Sequence, residues 1–206
     1  MITYTTLKDR PREFLTATGL THDEFLRVLP AFGAAYTACD PLDQTWHGKA
    51  RRRQRGGGAK GRFVQREDQL LCILVYHKTH PLQPMHGVQW GLSQPQPHDW
   101  MHRLLPVLRR ACAALGMAPE RDASRVATRP LMLEGAPAGA LDGTERRRPR
   151  PRAPTQPTAH DSGKKTAHPD KHVLLLNAYT RTVVSLSPTV AGNTHDKKAA
   201  DEADLG

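Results

Sequence analysis

The spacing of apolar residues changes near residue 131, and this change constrains the fold more than any other feature of the sequence. Before that point, apolar residues recur at the spacing of one face of an amphipathic helix. After it, short apolar runs are separated by turn residues, which is typical of β-strands. The sequence therefore predicts an α+β protein with a helical domain at 1–118, a linker at 119–130 and a strand-containing domain at 131–206.

The chain is strongly basic. It has 30 Lys and Arg against 20 Asp and Glu, which gives a formal net charge of +10. Such an excess favours an anionic macromolecular partner. The N-terminus lacks the apolar segment of a secretion signal, and no apolar run is long enough to span a membrane. The sequence therefore predicts a cytoplasmic protein without membrane contact, and its three widely separated cysteines are expected to be free thiols.

The N-terminal half contains a capping box, formed by Thr21 and Glu24, that predicts the start of a helix. A further helix is expected over 67–77, and a short one ends at Trp90. The turn 91–93 then leads into a long helix over 94–115, with Ser93 as its predicted N-cap. Helix, glycine turn and helix form a helix-turn-helix pattern, although any helical bundle contains such turns.

Two groups of side chains in this half are candidates for contact with DNA. Residues 49–66 include eight basic and no acidic residues around three consecutive glycines, which predicts either an arm that lies on phosphates or a solvated linker. The polar start of the long helix could reach base edges. The candidate residues are Arg51, Arg52, Arg53, Arg55, Lys60 and Arg62 in the arm, and Gln94, Gln96, His98 and His102 in the helix.

In the C-terminal half, three strands are predicted at 138–144, 172–178 and 182–187. The short connection between the second and third strands predicts an antiparallel hairpin. A final helix is expected from residue 197 onwards, with Asp196 as a candidate N-cap. The segment 146–157 is rich in arginine and proline, so it is expected to be extended and exposed.

The first strand contains Asp142, followed by Gly143. An Asp-Gly pair is often only a turn. Here the aspartate is followed by Arg146, Arg147 and Arg148, and then by a second basic segment at 162–165. A carboxylate beside cations that can hold phosphates is what metal-dependent phosphodiester chemistry requires.

The order of these motifs resembles that of the DDE-superfamily transposases of bacterial insertion sequences. The resemblance is carried by Leu-Asp-Gly-Thr-Glu at 141–145, the basic stretch at 146–152, Ser-Gly-Lys-Lys at 162–165, the apolar hairpin, and Ser-Pro to His-Asp at 187–196. The basic arm and the helix-turn-helix pattern are similar to the N-terminal region of the same family. The resemblance extends over nearly all of residues 14–205.

The resemblance implies a ribonuclease-H-like fold for the second domain, in which three acidic residues bind a pair of divalent cations, most simply Mg²⁺. Asp142 matches the first of these residues, and Asp196 is either a helix cap or a metal ligand. Lys164, Lys165, His168 and Lys171 would contact phosphates near the cleavage site, or else form a solvated face of the hairpin. The second aspartate and the glutamate of the family have no counterpart up to residue 206, so the catalytic domain is expected to be C-terminally truncated.

Three functions follow as alternatives. The first is a truncated or frameshift-dependent transposase that binds insertion-sequence terminal repeats, is associated with the nucleoid, could form a homo-oligomer, and is inactive in cleavage alone. The second is a non-catalytic DNA-binding regulator derived from a transposase. The third is a basic nucleic-acid-binding or ribosome-associated protein without a link to transposition.

Overall fold

The computed structural model describes residues 1–40, 45, 48–50, 52, 61–93, 95–128, 139–147, 169–180, 182–192 and 194–203. These residues form seven α-helices, one 3₁₀ helix and four β-strands. The chain divides into two compact units, Met1–Met117 and Ala118–Gly206. The first unit is helical and the second contains an antiparallel sheet, so the predicted α+β class is confirmed.

The first unit contains six helices. They are α1 (Tyr4–Leu7), α2 (Pro11–Thr18), α3 (His22–Cys39), α4 (Arg66–Thr79), α5 (Gln83–Trp90) and α6 (Gln96–Ala114). Helices α1 and α2 were not predicted from the sequence. The predicted capping box is present before α3, where the Glu24 amide donates to Thr21 Oγ1 at 3.3 Å and the Thr21 amide donates to Glu24 Oε2 at 2.7 Å.

Helix α4 contributes the most deeply buried part of this unit. Residues 69–73 are all buried in succession, so α4 has no solvent-facing side along this stretch. A helix that is buried on every side lies at the centre of its domain. Aromatic rings add a second cluster, in which Phe14 and Phe25 meet edge to face with centroids 5.2 Å apart. Complete burial of side chains of this size contributes about 1.5–3 kcal/mol each.

The second unit is built around a central strand. Its strands are β1 (Gly139–Arg147), β2 (Pro169–Asn177), β3 (Thr182–Leu186) and β4 (Val190–Ala191), followed by α7 (Asp196–Glu202). All pairings are antiparallel, and β2 pairs with β1 on one side and with β3 and β4 on the other. A small core of Val173, Ala199 and Ala200 joins β2 to α7.

The predicted hairpin is present as β2 and β3. Its turn is held by the Asn177 side chain, whose Oδ1 accepts hydrogen bonds from the amides of Tyr179 (2.9 Å) and Thr180 (3.0 Å). An asparagine that bonds to the backbone two residues later is a common turn-forming device. The register shifts between Leu175 and Leu176, which adds a local irregularity to the ladder.

Strand β1 is longer than the sequence predicted. It continues through Arg147, so the start of the segment expected to be irregular belongs to the sheet. The reason lies in the pairing, because Glu145 is directly opposite Lys171 and Arg146 is directly opposite Asp170. Opposite charges at facing positions stabilise a strand pair, even where the residues are strongly polar.

Part of the predicted linker is structured within the second unit. The Glu120 amide donates to the Val184 carbonyl at 2.8 Å, and the Glu120 carbonyl accepts from the Leu186 amide at 3.0 Å. This forms an isolated parallel bridge to β3, and a 3₁₀ helix (Ala123–Thr128) follows. Residues 120–128 therefore belong to the second unit, although the composition of this segment predicted a linker.

Candidate functional site

The turn between α5 and α6 brings two helices into close contact. Gly91 has φ of +63°, and Leu92 donates its amide to the Gly87 carbonyl at 2.8 Å, which closes the end of α5. A Cβ atom on Gly87 would lie 3.1 Å from Pro97 Cγ and 3.3 Å from the Leu92 carbonyl oxygen. Gly87 therefore allows the first turn of α6 to pack directly on α5.

The start of α6 differs from the prediction. Ser93 is not the N-cap, because Pro95 occupies that position and the helix begins at Gln96. The Ser93 amide instead donates to Gln96 Oε1 at 2.9 Å, and the Gln96 amide donates to the Ser93 carbonyl at 3.0 Å. The side-chain oxygen of Gln96 therefore already accepts a hydrogen bond within the protein.

Helix α6 has two distinct faces. Its buried face consists of Pro97, Met101, Leu104, Val107 and Ala111. Its exposed face includes Gln96, His98, Asp99, His102, Arg109 and Arg110. The rings of His98 and His102 lie close together, with centroids 4.2 Å apart. Three of the four predicted base-contacting residues, Gln96, His98 and His102, are thus exposed in or just after the first turn of one helix, whereas Gln94 lies outside the described residues.

The predicted basic arm is only partly described. Arg51, Arg53, Arg55 and Lys60 lie outside the described residues, and Arg52 is exposed. Arg62 has a structural partner, because its Nε donates to the Trp90 carbonyl at 2.7 Å. A cation at this position satisfies a carbonyl at the C-terminal end of α5, where the helix dipole is negative. Arg62 thus has a structural contact within the first unit, and its predicted contact with DNA stays a prediction.

A cleft of about 400 Å³ lies between β1 and α7. It is lined by Leu141, Asp142, Gly143, Val173, Asp196, Lys197, Ala200 and Asp201. Both residues that the sequence predicted as metal ligands are thus among those that line this cleft. Asp142 lies within β1, opposite Leu174.

Gly143 and Asp196 are in very close contact. A Cβ atom on Gly143 would lie 2.6 Å from Asp196 Oδ1 and 2.9 Å from its Cγ, so a side chain at this position would collide with the carboxylate. Side chains alternate between the two faces of a strand. Because Gly143 faces Asp196, the side chain of Asp142 leaves β1 on the other face.

Lys171 binds inside the second unit. Its side chain is only 10% exposed, and its Nζ lies 2.9 Å from Asp196 Oδ1 and 4.0 Å from Glu145 Oε1. The same ammonium donates to the Thr194 carbonyl at 2.7 Å. The ammonium thus has partners within the unit, and the predicted phosphate contact of Lys171 stays a prediction.

Asp196 is not the helix cap that the sequence favoured. The N-cap of α7 is His195, whose Nδ1 accepts a hydrogen bond from the Lys197 amide at 3.3 Å, and Asp196 is the first helical residue. Its carboxylate is 64% exposed and paired with Lys171. A cation at Asp196 would therefore share this carboxylate with the ammonium of Lys171.

The described residues do not form a complete site for a pair of divalent cations. Within these ranges, no group of three or more His, Cys, Asp or Glu side chains is arranged to hold a metal ion. The Asp142 side chain leaves β1 on the face opposite to the one that Asp196 contacts, and Asp196 is paired with a lysine. Arg146 is exposed on β1 and Arg147 ends the strand, whereas Arg148, Lys164, Lys165 and His168 lie outside the described residues.

A buried polar pair in the first unit was not predicted from the sequence. His86 is 0% exposed, and its Nε2 lies 3.4 Å from Cys72 Sγ. Burial lowers the pKa of His86, although the neighbouring Gln89 side chain acts in the opposite direction. Burial also raises the pKa of the Cys72 thiol. Both groups are therefore neutral at pH 7, which suits a core position better than a reactive one.

Comparison with known proteins identifies no relative of this chain. No protein-family model, curated protein or solved structure matches this chain. The resemblance to transposases therefore depends on the order of motifs in the sequence alone. Among the described helices, none has both the length and the apolar composition that crossing a membrane requires.

Proposed function

We propose that this chain is a DNA-binding protein of the transposase type, in which α6 contacts the bases. The proposal is carried by the two faces of α6, one packed into the core and the other exposing polar residues from the first turn onwards. Gln96, His98 and His102 provide amide and imidazole groups, which can hydrogen-bond to base edges in the major groove. A helix presented in this way fits the position of a recognition helix.

The packing beneath α6 supports the same proposal. Gly87 and Pro97 are in contact, and the ring of Trp100 meets that of Phe63 edge to face with centroids 4.9 Å apart. These contacts fix the first turns of α6 against α5 and against the segment before α4. Base contacts require such rigidity, because small displacements of a side chain weaken directional hydrogen bonds.

The charge of the chain supports binding to the DNA backbone. The net charge of +10 attracts polyanions, and Arg109 and Arg110 are exposed further along α6. Neutralisation of phosphates releases counterions, so the logarithm of the affinity falls by about 0.9 per contacted phosphate for each tenfold rise in salt concentration. We expect this salt-dependent component in binding to any DNA sequence.

The second unit gives less direct support to the proposal that this protein is of the transposase type. The antiparallel order β1-β2-β3, followed by α7, is compatible with the first part of a ribonuclease-H-like domain, and Asp142 is exposed on β1. The described carboxylates do not fit a pair of divalent cations, so we derive no cleavage step from them. We propose that any cleavage to which this chain contributes needs Mg²⁺ and further carboxylates from outside the described residues.

A second candidate function is a DNA-binding regulator without catalytic activity. The observation that favours it is the ion pair between Asp196 and Lys171, because it engages the carboxylate that the sequence offered as a second metal ligand. A regulator of this kind would use the same α6 surface and would occupy DNA sites without cutting them.

The test is a selection of DNA sequences by the purified 206-residue chain from a pool of random duplexes. We expect one motif to be enriched and to bind more tightly than a scrambled duplex, and we expect substitution of His98 or Gln96 by alanine to change the preferred bases. Thr16→Ala, at an exposed position of α2, serves as the matched control. Enrichment of no motif, or identical motifs from all variants, would contradict base recognition by α6.

A nicking assay on the selected duplex then tests whether this chain cleaves DNA by itself. Nicking that requires Mg²⁺ and is lost in Asp142→Asn supports the transposase and excludes the regulator. Specific binding without nicking, by both the natural chain and Asp142→Asn, fits the regulator and equally a transposase that is inactive alone.

A further inference from the structure

We infer that His98 and His102 form a binding site for a divalent transition-metal ion such as Zn²⁺ or Ni²⁺. The two histidines are one turn apart on α6, and both are exposed. Their ring centroids are 4.2 Å apart, with an angle of 61° between the ring planes. This distance brings the nitrogen atoms of both rings within reach of one ion.

The spacing of the pair suits chelation by a helix. Side chains four residues apart lie on the same face of a helix, with their Cβ atoms about 5–6 Å from each other. Two histidines at this spacing provide two of the zinc ligands in the metalloprotease helix motif. Because α6 is held by its buried face, the ion would bind to a preformed pair and would need little rearrangement of the backbone.

The ring nitrogens of this pair are available. Within the described part of the chain, neither His98 nor His102 makes a hydrogen bond, and their ring contact is with each other. Each neutral imidazole therefore has a nitrogen lone pair to offer. Imidazole nitrogen suits Zn²⁺, Ni²⁺ and Cu²⁺, whereas Mg²⁺ prefers oxygen ligands. This chemistry distinguishes the histidine pair from the carboxylates of the second unit.

Other histidines in the described part of the chain lack this arrangement. His77 and His80 have centroids 6.5 Å apart, and His80 follows the end of α4 with φ of +42°. His86 is buried beside Cys72. The pair on α6 therefore combines exposure, close rings and a regular helical backbone, and the pair at the end of α4 provides a matched comparison.

With two protein ligands, the remaining coordination positions of the ion would be filled by water. Binding of the second imidazole to an ion already held by the first is intramolecular, so the pair gains affinity over one imidazole by about 100-fold. Loss of either ring should remove this gain. The site does not depend on the proposed function, because the ion binds to the free protein.

The experiment is a calorimetric titration of the full chain with NiCl₂ or ZnCl₂ in the absence of DNA, with MgCl₂ as the negative control. We expect His98→Ala and His102→Ala each to weaken one binding event by about 100-fold, because one imidazole remains, and the double variant to lose that event. His80→Asn, which removes an exposed imidazole elsewhere, should leave that event unchanged. Circular dichroism checks that every variant has kept its helical content.

A second measurement identifies the ligands directly. Cu²⁺ bound at the site should show the electron paramagnetic resonance pattern of two nitrogen ligands, reduced to one or none in His98→Ala. Equal affinities in all variants, or a loss that is the same in His80→Asn, would overturn the inference. The absence of transition-metal binding by the natural chain would also overturn it, without affecting the proposal that α6 binds DNA.

Discussion

The ammonium of Lys171 lies 2.9 Å from the carboxylate of Asp196, and this ion pair joins the central strand of the second unit to its helix α7. The lysine side chain is almost completely buried, whereas the carboxylate is half open to solvent or more. Removing the lysine therefore leaves an anion that water can still solvate. The loss of stability therefore comes mainly from the missing hydrogen bond to the Thr194 carbonyl and from the space left by the side chain.

We predict that Lys171→Met destabilises the second unit by about 1–3 kcal/mol, because a charge-assisted hydrogen bond is lost at a buried position. Hydrogen exchange of peptides from 169–203 would measure this change. Lys198→Met is the control, because Lys198 is an exposed partner of Glu202 at 3.8 Å and such pairs contribute about 0–1 kcal/mol. Similar exchange in both variants would show that the Lys171 pair has no special role.

We predict that Gly143→Ala disrupts the contact between β1 and α7. The new Cβ would lie 2.6 Å from Asp196 Oδ1, so the carboxylate must move away from Lys171. Overpacking of this kind costs about 1–3 kcal/mol. The double variant Gly143→Ala/Asp196→Ala tests the cause, since the alanine at 143 should cost less once the carboxylate is absent. Equal costs in both backgrounds would exclude the collision as the cause.

In the first unit, by contrast, we predict that replacing a glycine by alanine stabilises the fold. Gly33 lies inside α3, and a Cβ built there meets no atom within 4 Å. Because alanine favours a helix over glycine by about 0.8–1 kcal/mol, Gly33→Ala should stabilise the first unit by up to that amount. Urea unfolding followed by tryptophan fluorescence would measure it, since Trp90 and Trp100 both lie in this unit. A lower midpoint would mean that the position is less open than the structure indicates.

We predict that Arg62 affects the stability of the first unit, whereas the arginines before it affect the affinity for DNA. Arg62→Ala should lower the stability of the first unit, because the Trp90 carbonyl loses its donor. Substitution of Arg51, Arg52, Arg53 and Arg55 by glutamine should instead weaken binding to all DNA sequences and reduce its salt dependence. Fluorescence-detected unfolding and anisotropy titrations at several salt concentrations measure the two effects. Unchanged affinity after the four substitutions would mean that the arm is only a linker.

The stability of the first unit should decrease as the pH falls below about 6.5, the pKa of histidine in an unfolded chain. Burial lowers the pKa of His86, so the folded state resists protonation, and the unfolded state takes up the proton first. One such group changes the free energy of unfolding by at most about 1.4 kcal/mol per pH unit, between its unfolded and folded pKa values. Burial lowers the pKa of His77 in the same direction.

The corresponding measurement is urea unfolding at a series of pH values from neutral to mildly acidic. His86→Gln should flatten the dependence of stability on pH, whatever its effect on stability at pH 7. The variant His80→Asn, at an exposed position, is the comparison. An unchanged slope in His86→Gln would assign the pH dependence to other groups.

The parts of the fold that were predicted correctly depend on short-range chemistry. The capping box of α3 requires only Thr21 and Glu24, and the β2–β3 hairpin follows from two apolar runs with a short connection. Both can be recognised from neighbouring residues. The same applies to α4, which the sequence predicted as a helix over 67–77 and the structure shows at Arg66–Thr79.

The parts that were missed depend on residues far apart in the chain. The role of Lys171 is determined by Asp196 and by the β1 register, and nothing in its local sequence distinguishes it from a surface lysine. Glu120 pairs with β3 although 65 residues separate it from Ser185. Ser93 has the right residue type for a helix cap, but Pro95 and the Gln96 side chain change the turn. Such arrangements follow from tertiary pairing and not from composition.

The central position of β2 also determines the order in which the second unit can assemble. The β2–β3 pair needs only the short connection between Asn177 and Thr182 to close, whereas pairing of β1 with β2 must bring together segments on either side of residues 148–168. For an unfolded chain of that length, closing the longer connection costs roughly 3 kcal/mol of entropy, before any contact compensates for it. The hairpin is therefore expected to form early in folding, and β1 to join it late. Asp142 would thus be among the last residues of this unit to reach its native environment.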